Sequence, residues 1–402
     1  LRSILSFDPG FNEEVRRRLY PDSPPPKIND LDSMLNEFER LIDAEREESF
    51  FSSSGKKLLD ADDNALLNFL KPVGGAGPRM IQRYKIYHDY QAGDFISEII
   101  ELLDNGDTVI LEEPSFFGAM QIFRSAGARI IGVPVDSSGM KTDILESLIQ
   151  RYKPKFIYVL PTFQNPSGIV MSLERRYELL DLSYKYRVPI VEDDPYSDLR
   201  YEGKAIPSLK ALDPYEHVIY LSTFSKVLSL GLRVGWVAAS QQVIRKFAYL
   251  KQITDMHVNT PGQYMISEFL SRGCYEKHLS TVLTEYREKR ELMNAALEKY
   301  KLPGVIWEKP EGGYYIWCRL PEYVTNNRLV SKAAENGVVY LPGEAFYPDG
   351  TQGENYMRLN FTFPNSNRID EGIKLLMEAL TEVEVRNGSN SAGRSYSRSP
   401  IV

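Results

Sequence analysis

Leu221-Ser-Thr-Phe-Ser-Lys-Val-Leu-Ser-Leu-Gly-Leu-Arg-Val-Gly235 is the stretch around which the rest of the chain is organised. It opens at the end of an apolar run, His217-Val-Ile-Tyr-Leu221, which has the pattern of a buried strand. The strand delivers Thr223, Ser225, Lys226 and Arg233 close together, and Gly231 and Gly235 loosen the backbone around them. A primary amine flanked by hydroxyls, with a guanidinium downstream, suits one task. The amine condenses with a carbonyl, and the hydroxyls and guanidinium hold a phosphate. An isolated Ser-x-Lys also matches by chance, as a surface lysine in a serine-rich loop. Other stretches must therefore agree with it.

Working outward, short β-rich apolar runs alternate with helical spacing. Strands are expected at 107–112, 128–135, 155–160, 188–193, 217–221 and 234–239, with helices at 115–126, 143–152 and 172–186. Ser172-Leu-Glu opens the last of these helices as a cap should, and basic residues close it. This alternation predicts an α/β domain with a mostly parallel sheet covered on both faces. Such sheets bind ligands at the carboxyl ends of their strands. Residues 241–300 are predominantly helical, and Tyr286 to Leu297 form a charged face long enough to bridge two domains. Strands at 305–308, 313–320, 338–341 and 356–361, with helices at 327–335 and 368–384, predict a smaller α+β domain. The expected organisation is an arm and part of the small domain over 1–45, a large domain over 46–285, a small domain over 286–386 and a low-complexity, disordered tail over 387–402.

Three strand ends carry further chemistry. Pro161-Thr-Phe-Gln-Asn-Pro-Ser-Gly168 puts Asn165 in a tight turn, where its amide can bind a ligand or simply start the turn. Glu192-Asp-Asp-Pro-Tyr196 offers a carboxylate to a protonated pyridine nitrogen, which keeps the ring cationic and able to absorb electrons from a carbanion. It also offers Tyr196 to a phenolic oxygen; the alternative is an acidic strand end that caps the next turn. Glu113-Pro-Ser-Phe-Phe-Gly118 offers an aromatic face to a flat ring, or to the core, which is the assignment preferred for Phe117. Lysine, phosphate donors, ring carboxylate and stacking ring together describe a site for pyridoxal 5'-phosphate.

Asn165-Pro-Ser-Gly, Asp193-Asp-Pro-Tyr196, Ser225-Lys226 and Gly231-Leu-Arg233 occur in the order and spacing of the class I/II aminotransferases, fold-type I pyridoxal phosphate enzymes. The chain most resembles the branch that holds 2-aminoadipate and kynurenine aminotransferases and the aminotransferase-like domains of MocR regulators. Pro310-Glu-Gly-Gly313, Val339-Tyr-Leu-Pro-Gly343 and Arg358-Leu-Asn-Phe361 extend the resemblance, which is specific from about Asp107 to Val385. It implies that Lys226 forms the Schiff base and shuttles a proton, that Asp193 pairs with the pyridine nitrogen, and that Asn165 and Tyr196 hold the phenolic oxygen. It further implies that Phe116 stacks on the ring, that Thr223, Ser225 and Arg233 bind the phosphate, and that Arg358, with Asn165, binds the substrate α-carboxylate as a bidentate fork. The implied reaction moves an amino group between an α-amino acid and a 2-oxo acid, in a cytoplasmic homodimer with its sites at the subunit interface. The alternatives are another pyridoxal phosphate chemistry, such as lyase or racemase, and a MocR effector domain, which would follow a basic DNA-binding segment.

The N-terminal quarter departs from the family pattern. The turn whose amides cradle the phosphate falls at Asp89-Tyr-Gln-Ala92, without its glycine and serines, so Gln91 and Ala92 stand where phosphate donors are expected. Phe50 stands where relatives carry a phosphate-binding tyrosine, and Leu59-Asp60 where they carry Leu-Arg.

Composition fits these expectations. The chain has 402 residues, 43% of them hydrophobic, which suffices for two or three domains. A net charge of −7 argues against nucleic acid or an anionic membrane as the main partner. Two cysteines and four scattered histidines make neither a disulfide framework nor a metal motif. No metal and no membrane span are expected.

Overall fold

The computed structural model describes residues 99–254 and 259–391. The arm, Phe50, Leu59-Asp60, Gln91 and Ala92, and the chain beyond 391 lie outside the described residues. All described residues fall within one compact unit, Leu67–Val402.

Seven strands form the larger sheet: β1 (Thr108–Glu113), β2 (Arg129–Asp136), β3 (Gly139–Met140), β4 (Phe156–Val159), β5 (Ile190–Asp193), β6 (Val218–Thr223) and β7 (Gly235–Ala238). Their order is β3-β2-β1-β4-β5-β6-β7. The five central strands are parallel, and the short β3 and β7 run antiparallel at the edges. Period-two alternation explains why the sheet is buried on both sides. Val109, Leu111, Phe156, Val191 and Leu221 pack on one face with Phe123 from helix α1 (Phe117–Ser125). Ile110, Ile157, Val159, Ile190 and Val218 pack on the other with Leu145 from α2 (Thr142–Tyr152) and Leu179 from α3 (Leu173–Tyr186). Ser172 caps α3 as the sequence requires, its side chain accepting from Arg175 N at 3.2 Å.

A short helix, α4 (Leu209–Leu212), precedes β6, and α5 (Gln241–Thr254), α6 (Thr260–Ser271) and the long α7 (Cys274–Lys299) follow β7. The second sheet has the order β10-β11-β9-β8, from β8 (Ile306–Trp307), β9 (Tyr315–Arg319), β10 (Leu341–Pro342) and β11 (Tyr356–Asn360). Helices α8 (Asn326–Glu335) and α9 (Ser366–Ser391) accompany it. The strand expected at 338–341 shrinks to β10, because Gly337 turns left-handed (φ 83°) and Val338 N bonds back to Ala333 O. Helix α9 runs past the expected end at Glu384, since extending a formed helix adds a hydrogen bond with each residue fixed. A 3-10 turn, Ile99–Leu102, precedes β1.

The Gly312-Gly313 pair joins the two sheets. A Cβ on Gly312 would lie 2.2 Å from the Phe163 ring and 2.4 Å from Leu199 O, and Gly313 has φ 73°. Gly313 N then bonds Leu199 O at 2.9 Å, which brings β9 beside the carboxyl ends of β4 and β5.

Candidate active site

The winding of the large sheet reverses between β1 and β4, and the loops after these two strands flank the switch point. They are stitched together. Buried Glu112 at the end of β1 accepts from Leu160 N at 2.9 Å, and Gln164 Nε2 donates to Pro114 O at 2.7 Å. Gln164 Oε1 in turn accepts from Ser167 N and Ser167 Oγ at 2.9 and 2.6 Å, closing the turn around Asn165. Burial pushes the Glu112 carboxyl up to about 8, against the Leu160 and Gln164 hydrogen bonds and the Arg176 charge that lower it. Sequence inspection passes over Glu112 and Gln164, because each reads there as an ordinary polar residue at a strand end.

Asn165 is buried, and its Oδ1 accepts from Arg358 Nη1 at 2.7 Å. The two are remote in sequence and belong to different sheets. Arg358 lies on β11 with its guanidinium between two aromatic faces, 3.8 Å from the Tyr315 ring centre and 4.8 Å from that of Phe346. Its Nε is buried and has no hydrogen-bond partner among the described residues. Phe346 also meets the switch-point loop, its carbonyl accepting from Ser115 N at 2.8 Å and its ring meeting Phe117 edge-on at 5.8 Å. Phe117 thus packs as expected. Phe116 precedes α1 as its N-cap residue, half-buried, its ring 5.3 Å from that of Phe117.

Asp193 ends β5 and accepts a hydrogen bond from Tyr158 Oη at 2.5 Å. Burial raises its pKa to about 6; the Tyr158 hydrogen bond and the Lys226 charge pull it down, and Asp194 pushes it up. Asp194 is engaged otherwise, by Ser197 N at 3.1 Å and Tyr220 Oη at 2.8 Å. Tyr196 is buried, and its ring meets that of Tyr315 edge-on, centre to centre at 6.0 Å.

The organising stretch follows β6. The Thr223 hydroxyl has two acceptors within reach of its one proton, Ser225 Oγ at 2.9 Å and Val234 O at 3.1 Å, and it accepts from Ser225 N at 3.1 Å. Tyr314 Oη donates to Lys226 O at 2.5 Å, and Lys226 Nζ stands 6.0 Å from the Tyr314 ring centre. The left-handed residue in this stretch is Arg233 (φ 52°) rather than a glycine; Gly231 lies within a 3-10 turn, Leu230–Leu232.

Lys226, Asp193, Asn165, Tyr196 and Arg358 thus gather beside the carboxyl ends of β4, β5 and β6, with Thr223, Ser225 and Arg233 on the segment that carries Lys226. The set fits pyridoxal phosphate: an amine, a buried carboxylate, hydroxyls and a guanidinium. The unpartnered Nε of Arg358 calls for a further acceptor, such as a carboxylate.

The fold and this site define a fold-type I enzyme. The profile "Aminotransferase class I and II" matches residues 89–376, and the chain belongs to that family. It is 40% identical over 297 residues to aromatic-amino-acid aminotransferase 1 of Thermococcus litoralis, covering 73% of this chain and 70% of that protein. It is 37% identical over 293 residues to 2-aminoadipate transaminase of Thermus thermophilus, covering 72% of this chain and 73% of that protein. The structure of Pyrococcus horikoshii kynurenine aminotransferase, in complex with PMP, superposes with a TM-score of 0.72 at 33% identity, covering 91% of this chain and 98% of that one. This chain is a pyridoxal phosphate-dependent aminotransferase, transferring an amino group between an α-amino acid and a 2-oxo acid.

Proposed function

We propose that the clustered residues divide the reaction between a cofactor end and a substrate end. When bound, pyridoxal phosphate supplies a carbonyl that carries the amino group and a ring that takes up electrons from the substrate α-carbon. Lys226 holds the cofactor and moves the proton at the substrate Cα. Asp193 pairs with the ring nitrogen, Asn165 and Tyr196 hold the ring's phenolic oxygen, and Phe116 stacks on the ring. Thr223, Ser225 and Arg233 bind the phosphate, with Gln91 and Ala92 as further phosphate contacts. Arg358 forks onto the substrate carboxylate, oriented by Asn165. The Arg358–Asn165 hydrogen bond carries this division, because it ties the carboxylate anchor of one sheet to the ring-side turn of the other.

The large domain spans 46–285 and the small domain 286–386. The working form is a cytoplasmic homodimer. Exposed Leu230, Tyr264 and Met265 support the dimer, since they sit on the turn after Lys226 and on α6, whose cap Asn259 bonds Leu232 O at 2.9 Å. Among the described residues no helix is long and apolar enough to cross a membrane. The substrates are amino acids with aromatic or long apolar side chains, because Tyr315 and Phe346 flank the anchor and Tyr314 stands against Tyr315 on the side of Lys226. A half-reaction screen tests this: holoenzyme is mixed with single amino acids without an acceptor, and loss of the cofactor's visible band is recorded. Aromatic amino acids should discharge the band fastest; preference for a small or acidic amino acid would overturn the substrate assignment.

A further inference from the structure

The division of roles above gives Tyr158 no part, yet it is the residue in direct contact with the Asp193 carboxylate. We propose that Tyr158 is a positioning residue: its hydroxyl fixes Asp193 to face the ring nitrogen of the cofactor. This rests on the assignment of Asp193 to that nitrogen.

The placement follows from strand register. Tyr158 on β4 lies opposite Val191 on β5. Asp193, two residues beyond Val191, shares its face of the strand. The Tyr158 ring is fully buried, and Phe123 meets it edge-on at 5.4 Å, which fixes its direction. Its hydroxyl has one proton to give, and gives it to Asp193 Oδ2 at 2.5 Å, the length of a charge-assisted bond. One oxygen of the carboxylate is thereby held, its plane is set, and the other oxygen, which has no donor among the described residues, is left for a second donor.

The adjacent Asp194 shows the contrast. It also meets a tyrosine, Tyr220 on β6, but its other oxygen accepts from Ser197 N in its own turn. Both oxygens of Asp194 are thus spent on structure, whereas among the described residues Asp193 has a donor on Oδ2 alone. The groups around Asp193 work against one another. Burial and Asp194 favour its neutral form; Tyr158 and Lys226 favour the carboxylate. Tyr158 itself is held protonated, by burial first and then by the charges of Asp193, Glu112 and Tyr196, so it remains a donor.

The test compares Tyr158→Phe, Asp193→Asn and the double variant as holoenzymes, reading the rate of cofactor release and the pH midpoint of the visible band. Tyr158→Phe should release the cofactor about tenfold faster, the worth of one charge-assisted hydrogen bond. Its midpoint should rise, because a less firmly protonated ring draws fewer electrons from the nitrogen that titrates. Asp193→Asn should show both effects more strongly, and the double variant should match it. Replacing Tyr158 with 3-fluorotyrosine keeps the shape and strengthens the donor; it should shift the midpoint the opposite way, even if Tyr158→Phe folds poorly. Normal release and midpoint in Tyr158→Phe and the fluorinated protein, with Asp193→Asn altered, would overturn the role of Tyr158 alone. A normal Asp193→Asn would overturn the assignment of Asp193 and the inference with it.

Discussion

Asp193 on the large sheet and Arg358 on the small one are buried to the same degree, each 9% exposed, yet they are held in different ways. Asp193 is held by a hydrogen bond from the adjacent strand. Arg358 is held chiefly by aromatic faces, with one hydrogen bond to Asn165 and Nε left without a partner among the described residues. A group that keeps one ligand throughout the cycle gains from a fixed acceptor. A group that must take and release a carboxylate at each turnover gains from a cage that orients the guanidinium without occupying its donors. Burial lowers the Arg358 pKa from its ordinary value, against the Tyr315 and Tyr196 groups that raise it.

Variants that disable one end should leave the other intact. Lys226→Ala should have the largest effect, a loss of turnover on the order of 10⁴-fold, as when a proton-transferring group is removed. Borohydride should then fix no cofactor to the chain, as mass spectrometry of the treated protein would show. Arg358→Ala should cost about 2–5 kcal/mol in kcat/KM for every amino acid and 2-oxo acid, as for a buried charge partner removed. Arg358→Lys should recover little, because an ammonium cannot reproduce the planar fork. Phe346→Leu should cost about 1 kcal/mol through the weakened cage, seen as a raised KM with the visible band unchanged.

The smallest effect concerns pH. The Glu112 carboxyl titrates at about 8 in the fold against 4.5 ordinarily, so between these values the folded state binds more protons than the unfolded one. Stability from this group therefore falls as pH rises through that window. Thermal denaturation of Glu112→Gln should show a flatter decline from pH 5 to pH 8 than the parent protein does.

The alternation of strands and helices was legible because the strands are buried on both faces and leave continuous apolar runs, as Phe156 to Val159 do. The candidate residues at strand ends were legible because Asn165, Asp193 and Lys226 stand in short motifs of polar letters after apolar ones. Tyr158 was not, since a tyrosine inside an apolar strand reads as core, and only register places it beside Asp193. The aromatic cage was hidden for a similar reason: Tyr315, Phe346 and Arg358 come from three separated segments. The left-handed Arg233 was missed because two nearby glycines drew the flexibility to themselves.

The most direct test sets Asp193→Ala beside Arg358→Ala and measures, for each, the cofactor dissociation constant and kcat/KM with one aromatic amino acid. The expected pattern is crossed. Asp193→Ala should bind the cofactor more weakly and lose turnover, and Arg358→Ala should hold the cofactor normally while losing kcat/KM. Weakened cofactor binding in Arg358→Ala, or normal binding in Asp193→Ala, would contradict the separation of a cofactor end from a substrate end.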